Sequence, residues 1–163
     1  MTEKHKIRCL LLRFISITSV IIAFMSIVIG CIKITECPLA VPIKVTTISN
    51  NVGSIQFELV YDAEVLQVNG VKTGSLSKNA IMDFNVENPG RVVIGIVDDE
   101  GIKQDSSVIV TFKVLEHNHE STLVIQNVIA HSADTLKELV TSSTDGKYAG
   151  KPDTVVSPVI IFK

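Results

Sequence analysis

The sequence predicts an all-β domain, arranged as a β-sandwich, behind an N-terminal membrane or signal helix. Apolar and polar residues alternate with a period of two from Val41 onward, which is typical of strands with one buried face. Clusters of Asn, Asp, Gly and Pro separate the alternating runs, as turns separate the strands of a sandwich. The composition, 46% hydrophobic and 20% charged, is that of a globular chain.

The N-terminal segment predicts attachment to a membrane. Residues 14–32 are nineteen consecutive residues without a charge. As a helix they would span about 28 Å, close to the thickness of the hydrocarbon core of a bilayer. Four basic residues and one acid precede this run, and positive charge keeps that end of a membrane segment in the cytoplasm. We therefore expect residues 1–32 to be a signal peptide or a transmembrane anchor, with the rest of the chain outside the cell.

The end of this apolar run also resembles a bacterial lipobox. Residues 28–31 are Val-Ile-Gly-Cys, and in such signals the cysteine is lipidated after cleavage in front of it. Lipidation at Cys31 and an uncleaved single-pass anchor remain two alternatives. Both predict a membrane-anchored protein on the extracellular face, with residues 33–40 as a short tether and residues 41–163 as the exported domain.

Charge and cysteine content restrict the function classes. Residues 1–32 carry a net charge of +3, so the chain's total of −2 leaves −5 for the exported part. That part has no basic field to attract nucleic acid. Cys37 is its only cysteine, so no internal disulfide can form and the fold depends on an apolar core.

The predicted strands follow one another at sandwich-like spacing. Alternating or β-rich runs cover residues 41–46, 54–61, 82–87, 92–97, 108–115, 123–128 and 155–162. Turn signals lie at Asn50–Gly53, Asn69–Gly70, Asn88–Gly90, Asp98–Gly101 and Asp145–Gly146. Residues 135–140, TLKELV, fit either a strand or a single helical turn. Together these runs predict a sandwich of two packed sheets.

Catalytic and metal-binding motifs are missing from the sequence. It contains no Gly-rich phosphate loop, GxSxG, HExxH or CxxC, so we expect no enzyme. His117 and His119 could share a metal on a strand, but their polar surroundings favour a hairpin turn. Residues 98–100, Asp-Asp-Glu, could bind calcium or contact a partner, although a solvated turn is favoured. The sequence predicts no metal site.

Several segments together resemble the cohesin domain family. Residues 51–68, NVGSIQFELVYDAEVLQV, are similar to its early strand region, where an alternating strand ends in Tyr-Asp and Val-Leu follows. Later family segments are matched in order by Gly74–Leu76, Met82–Val86, Gly90–Gly95, Asp98–Gly101 and Thr111–Val114. The resemblance covers residues 41–146 and leaves the tail, residues 147–163, unmatched.

This resemblance implies a nine-stranded jelly-roll sandwich, related in fold to cellulose-binding modules. It also implies a non-catalytic module that binds the dockerin module of another protein, linked to polysaccharide degradation. No cofactor is implied for this chain, and any calcium is expected on the dockerin. Because only one module is present, the chain would anchor one partner rather than gather many.

The resemblance places dockerin binding on one flat sheet face, whose outward residues supply hydrogen bonds. The expected partner-binding residues are Ser54, Gln56, Glu58, Asp83, Asn85, Glu87 and Asp98. The family often has Asn and Asp where Ser54 and Gln56 stand here. A polar, acidic face would complement the hydroxyl and basic side chains of a dockerin helix.

Two other functions remain open from the sequence alone. The protein could bind polysaccharide directly at the cell surface, because the fold relatives bind glycans, or it could be a structural surface lipoprotein. Aromatic residues make up only 5% of the chain and Trp is absent, so a stacking platform for sugars is poorly supplied. This composition favours a protein partner.

Overall fold

Eleven strands form two sheets in the computed structural model, which describes residues 38–47, 52–86 and 88–162. The strands are β1 (Leu39–Thr47), β2 (Val52–Val60), β3 (Leu66–Thr73), β4 (Ile81–Asn85), β5 (Arg91–Ile102), β6 (Ser106–Val114), β7 (Glu120–Ser132), β8 (Thr141–Thr144), β9 (Gly146–Ala149), β10 (Val155–Val156) and β11 (Val159–Phe162). The predicted all-β, two-sheet architecture is confirmed.

The two sheets differ in size and in strand direction. The smaller has the order β3-β6-β1-β11-β8, in which β1 and β11 run parallel and the other pairs are antiparallel. The larger has the order β10-β9-β7-β2-β5-β4 and is antiparallel throughout. The strands predicted at residues 54–61, 82–87 and 92–97 therefore lie together in one sheet.

The apolar half of the alternating runs in β1, β2, β5 and β6 forms the core between the sheets, whereas the predicted run at residues 82–87 leaves Phe84 and Val86 exposed. Val41, Ile43 and Val45 of β1 are fully buried, while Lys44 between them is exposed. The alternation in β2 and β5 likewise buries one side of each strand. At one point in this core the rings of Tyr61 and Phe112 meet edge to face, with centroids 5.2 Å apart.

The tail that the resemblance leaves unmatched adds strands to both sheets. It supplies β10 and most of β9 to the larger sheet, while β11 pairs with β1 in the smaller. Gly146 is required where β9 begins, because a Cβ there would lie 2.4 Å from the backbone oxygen of Val156. The described residues thus contain eleven strands instead of the nine expected.

Two predicted breaks between strands are wrong. Asn69 and Gly70 lie inside β3, where the register to β6 shifts by a bulge. Residues 98–101 lie inside β5: Val97 pairs with Ser54 and Ile102 pairs with Val52, so four residues bulge out opposite Gly53. Both segments have turn-forming composition, but the strands continue to pair on either side of them.

Two other segments settle questions that the sequence left open. The polar residues 117–119 lie in the connection between β6 and β7, with Asn118 at a φ of 66°. They form a turn, but β6 and β7 belong to different sheets, so the predicted hairpin is wrong. Residues 135–140 form neither a strand nor a helical turn. Leu136 has a φ of 54°, and a bridge between His131 and Glu138 folds the segment back on the end of β7.

The predicted membrane segment and the lipidation site at Cys31 lie outside the described residues. Among the residues that the structure describes, no helix has the length and apolar character needed to cross a membrane. β1 begins at Leu39, inside the segment expected to be a tether.

Candidate partner-binding face

The candidate site is the outward side of β2, β4, β5 and β7, here called the six-strand face because these strands belong to the six-stranded sheet. The strand registers align its residues in three rows from β4 to β7: Ile81–Val97–Ser54–His131, Asp83–Gly95–Gln56–Ile129 and Asn85–Val93–Glu58–Gln126. Ser54, Gln56, Glu58, Asp83 and Asn85, which the sequence nominated, therefore share one surface.

An apolar depression lies within this surface. It has a volume of about 400 Å³, and its walls include the exposed side chains of Ile81, Val97 and Ile129. Ser54, Gln56, Asp83 and His131 supply polar groups around them, with the Ser54 hydroxyl 3.5 Å from Nδ1 of His131. A shallow apolar surface with a polar border is typical of a protein-docking surface.

In the second row, the outward side of Gly95 is open. No heavy atom lies within 4 Å of the position that a Cβ would occupy there. Its cross-strand neighbours are Asp83 on β4 and Gln56 on β2, and both side chains are exposed. The Asp83 carboxylate accepts a hydrogen bond from the backbone N–H of Phe84 at 2.9 Å, which holds it at the surface. These two polar groups thus flank a clear area at the centre of the face.

Glu58 occupies the third row, but its carboxylate already has partners on the neighbouring strands. Arg91 of β5 forms an ion pair with one oxygen, and Gln126 of β7 donates a hydrogen bond to the other at 3.2 Å. Burial raises the pKa of Glu58, but hydrogen bonds from Asn127 and Gln126 and the charge of Arg91 outweigh it and lower that pKa below its usual value. Glu58 therefore ties β2, β5 and β7 together rather than offering a vacant acceptor.

This network predicts a pH-dependent stability. Because the folded-state pKa of Glu58 is lowered, its stabilisation is present above the unfolded-state pKa, about 4.3, and is lost as pH falls through the folded-state value. Glu58→Gln should lower the Tm at pH 7, and its difference from the wild type should shrink below about pH 4.

The control for that series is Glu120→Gln. Glu120 pairs with Lys147 at 2.6 Å, but both side chains are largely exposed, so this substitution should change the Tm little. Thermal unfolding followed by circular dichroism measures both variants. If the difference in Tm between the wild type and Glu58→Gln stayed constant from pH 7 to pH 3, the network would not act through ionisation of the Glu58 carboxyl.

Two nominated residues are not placed on this face. Asp98 lies in the bulge of β5 and is 1% exposed, with its Oδ1 accepting the backbone N–H of Glu100 at 3.1 Å. It is therefore a buried residue that shapes the bulge instead of a surface contact. Glu87 lies outside the described residues. Within the part of the chain that the structure describes, no group of three or more His, Cys, Asp or Glu could hold a metal.

Other residues of the face were missed by the sequence interpretation. The alternation over residues 91–97 contains the signal for Arg91, Gly95 and Val97, which are the outward partners of the buried Val92, Ile94 and Ile96. Gln126 and Ile129 have no such signal. A bulge in β7 at Asn127, with a φ of 52°, breaks the alternation between them and puts both on the same face.

Comparison with known proteins shows which protein family and which solved structures this chain is similar to. The family model of the cohesin domain matches residues 38–149. The sixth cohesin of scaffoldin B from Acetivibrio cellulolyticus, crystallised with a dockerin, is 19% identical, with a TM-score of 0.55 over 76% of this chain and 86% of that one. The cohesin of a type I cohesin–dockerin complex from Clostridium thermocellum is 16% identical, with a TM-score of 0.51 over 79% and 97%. No curated protein matches the chain at a significant level.

Proposed function

The chain belongs to the cohesin domain family, and we propose that it binds a dockerin module of another protein through the six-strand face. Cohesin domains are non-catalytic binding modules, so the chain is not an enzyme. The observation that carries the proposal is the second row of the face, where exposed Gln56 and Asp83 flank the open position at Gly95.

The chemistry of this row suits a helical protein partner. Gln56 offers a donor and an acceptor, whereas Asp83 offers a negative charge and acceptor oxygens. Beside them, Ile81, Val97 and Ile129 supply apolar area that a partner side chain can bury. A helix carrying basic and hydroxyl side chains next to an apolar anchor would satisfy all of these groups.

The same face argues against direct binding of a glycan. Sugar platforms stack pyranose rings on aromatic side chains. None of the three rows contains Phe, Tyr or Trp, and both tyrosines of the chain are buried in the core. The link to polysaccharide therefore runs through the partner in this proposal, by way of a dockerin attached to a degradative enzyme.

Membrane attachment completes the proposed role. The basic residues 1–13 and the uncharged residues 14–32 support an anchor or a lipoprotein signal, with the cohesin domain on the extracellular face. The protein would then hold one dockerin-bearing partner at the cell surface.

Gln56→Ala should weaken dockerin binding by about tenfold while leaving the domain folded. Its side chain is exposed at the centre of the face, and loss of one or two interfacial hydrogen bonds typically costs on the order of 1–1.5 kcal/mol. Isothermal titration with calcium-loaded dockerins measures the effect. The matched control is Gln67→Ala, an exposed glutamine in β3 of the other sheet, which should bind normally. Equal affinity of the wild type and Gln56→Ala would place the interface elsewhere.

A further inference from the structure

The two sheets of the domain differ sharply in charge. We call the outward side of the smaller sheet, formed by β3, β6, β1, β11 and β8, the five-strand face. Its five strands contain three lysines, Lys44, Lys72 and Lys113, and no Asp or Glu, a net charge of +3. The six strands of the other sheet contain six acidic and two basic residues, a net charge of −4. The domain thus separates its charges between its two sheets.

All three lysines project from the same surface. Lys44 pairs in register with Ser107, Lys72 with Ile109 and Lys113 with Gln67, all opposite to the buried side of their strands. Each is exposed, and none forms an ion pair with another of the described residues. Their ammonium groups are available to an anionic surface.

Aliphatic side chains lie between the lysines. Pro42 and Ile109 are cross-strand neighbours, Val159 lies beside Lys44, and all three are half-buried. A flat surface that combines lysines with short aliphatic groups suits the headgroup region of a bilayer, where the ammonium groups meet phosphates and the aliphatic groups meet the acyl boundary.

In the proposed membrane attachment, only a short segment of sequence separates the uncharged run from this surface. The uncharged run ends at Ile32, and β1, the central strand of the five, begins at Leu39. The six intervening residues, 33–38, reach at most about 20 Å when fully extended. A short tether keeps the effective concentration of the five-strand face at the bilayer high.

We infer that the five-strand face docks on an anionic phospholipid bilayer, the one to which the chain is attached. The inference rests on the membrane attachment proposed above and is independent of dockerin binding. Because the outward sides of the two sheets face opposite directions, docking would turn the six-strand face away from the bilayer and toward a partner in solution.

Lysine labelling of the full chain in lipid nanodiscs tests this inference. An amine-reactive ester is applied in discs rich in phosphatidylglycerol and in discs of phosphatidylcholine alone, and labelling rates are read by mass spectrometry. Lys44, Lys72 and Lys113 should each react about fivefold more slowly in the anionic discs, because each lysine near such a surface gains about fivefold in affinity. Raising the salt from about 0.1 M to about 0.5 M should restore their rates. Lys147 and Lys151, on the larger sheet and in a loop beyond it, are the internal references and should react equally in both.

Three other outcomes would each overturn the inference, and each would do so for a different reason. Equal rates for the three lysines in both discs, with the protein incorporated, would reject docking while leaving attachment intact. Failure of the chain to enter discs would reject attachment and docking together, but not dockerin binding. If inorganic polyphosphate protects the lysines in detergent as strongly as the anionic discs do, the face recognises a soluble polyanion instead of a bilayer.

Discussion

Gly95→Tyr is expected to abolish dockerin binding, with a loss of affinity of at least about 100-fold. The residue lies at the centre of the six-strand face between Gln56 and Asp83, and it lines the apolar depression. A phenol ring there would occupy the space that a partner side chain has to enter. No heavy atom lies within 4 Å of the Cβ position at Gly95, so a larger residue can be placed there without a clash at the backbone. Tyrosine also has a higher strand propensity than glycine, so the Tm should stay the same or rise.

Gly70→Tyr is the matched control for this substitution. Gly70 lies on the opposite sheet, beside Thr111 of β6, and a Cβ there makes only an ordinary contact at 3.6 Å. Both variants place the same ring on the outward side of a strand, and only Gly95→Tyr should lose binding in calorimetric titrations. Full affinity in Gly95→Tyr, or an equal loss in both, would contradict the assigned face.

Phe112→Ala is expected to produce the largest loss of stability. The ring is fully buried between the sheets and packs edge to face against Tyr61. Removing it leaves a cavity, and such truncations of buried phenylalanine cost about 3–5 kcal/mol in the free energy of unfolding. We expect the Tm to fall by more than about 10 °C, as measured by thermal or urea unfolding.

The control is the same truncation at Phe84 of β4, whose side chain is 39% exposed. Phe84→Ala should cost less than half as much as Phe112→Ala, since less apolar area returns to water and no enclosed cavity forms. If both variants lost equal stability, the burial assigned to Phe112 would be wrong.

Much of the sandwich follows from alternation alone. Successive side chains point to opposite sides of a strand, so the pattern over residues 54–61 and 82–86 was enough to put Gln56 and Asp83 on outward sides. Which outward residues become neighbours depends on strand register, and register joins residues far apart in the chain. The pairing of Glu58 with Arg91 and Gln126 is therefore a finding of the structure.

Bulges account for most of the remaining differences. Asn69-Gly70 and residues 98–101 have the composition of turns, yet the strands around them pair on both sides. Local composition marks where a chain can leave regular geometry, but the neighbouring strand decides whether it then reverses direction or resumes pairing. The burial of Asp98 is a consequence of this, because its bulge folds the carboxyl inward while a turn would expose it.

The most direct test of the dockerin-binding proposal is titration of the full chain, held in nanodiscs, with a panel of calcium-loaded dockerins. At least one dockerin should bind in a saturable one-to-one complex with a Kd tighter than about 1 μM, near −8 kcal/mol in binding free energy. Gly95→Tyr should remove that binding while Gly70→Tyr keeps it. Absence of binding by every dockerin at about 100 μM, with the domain folded, would contradict the proposed function.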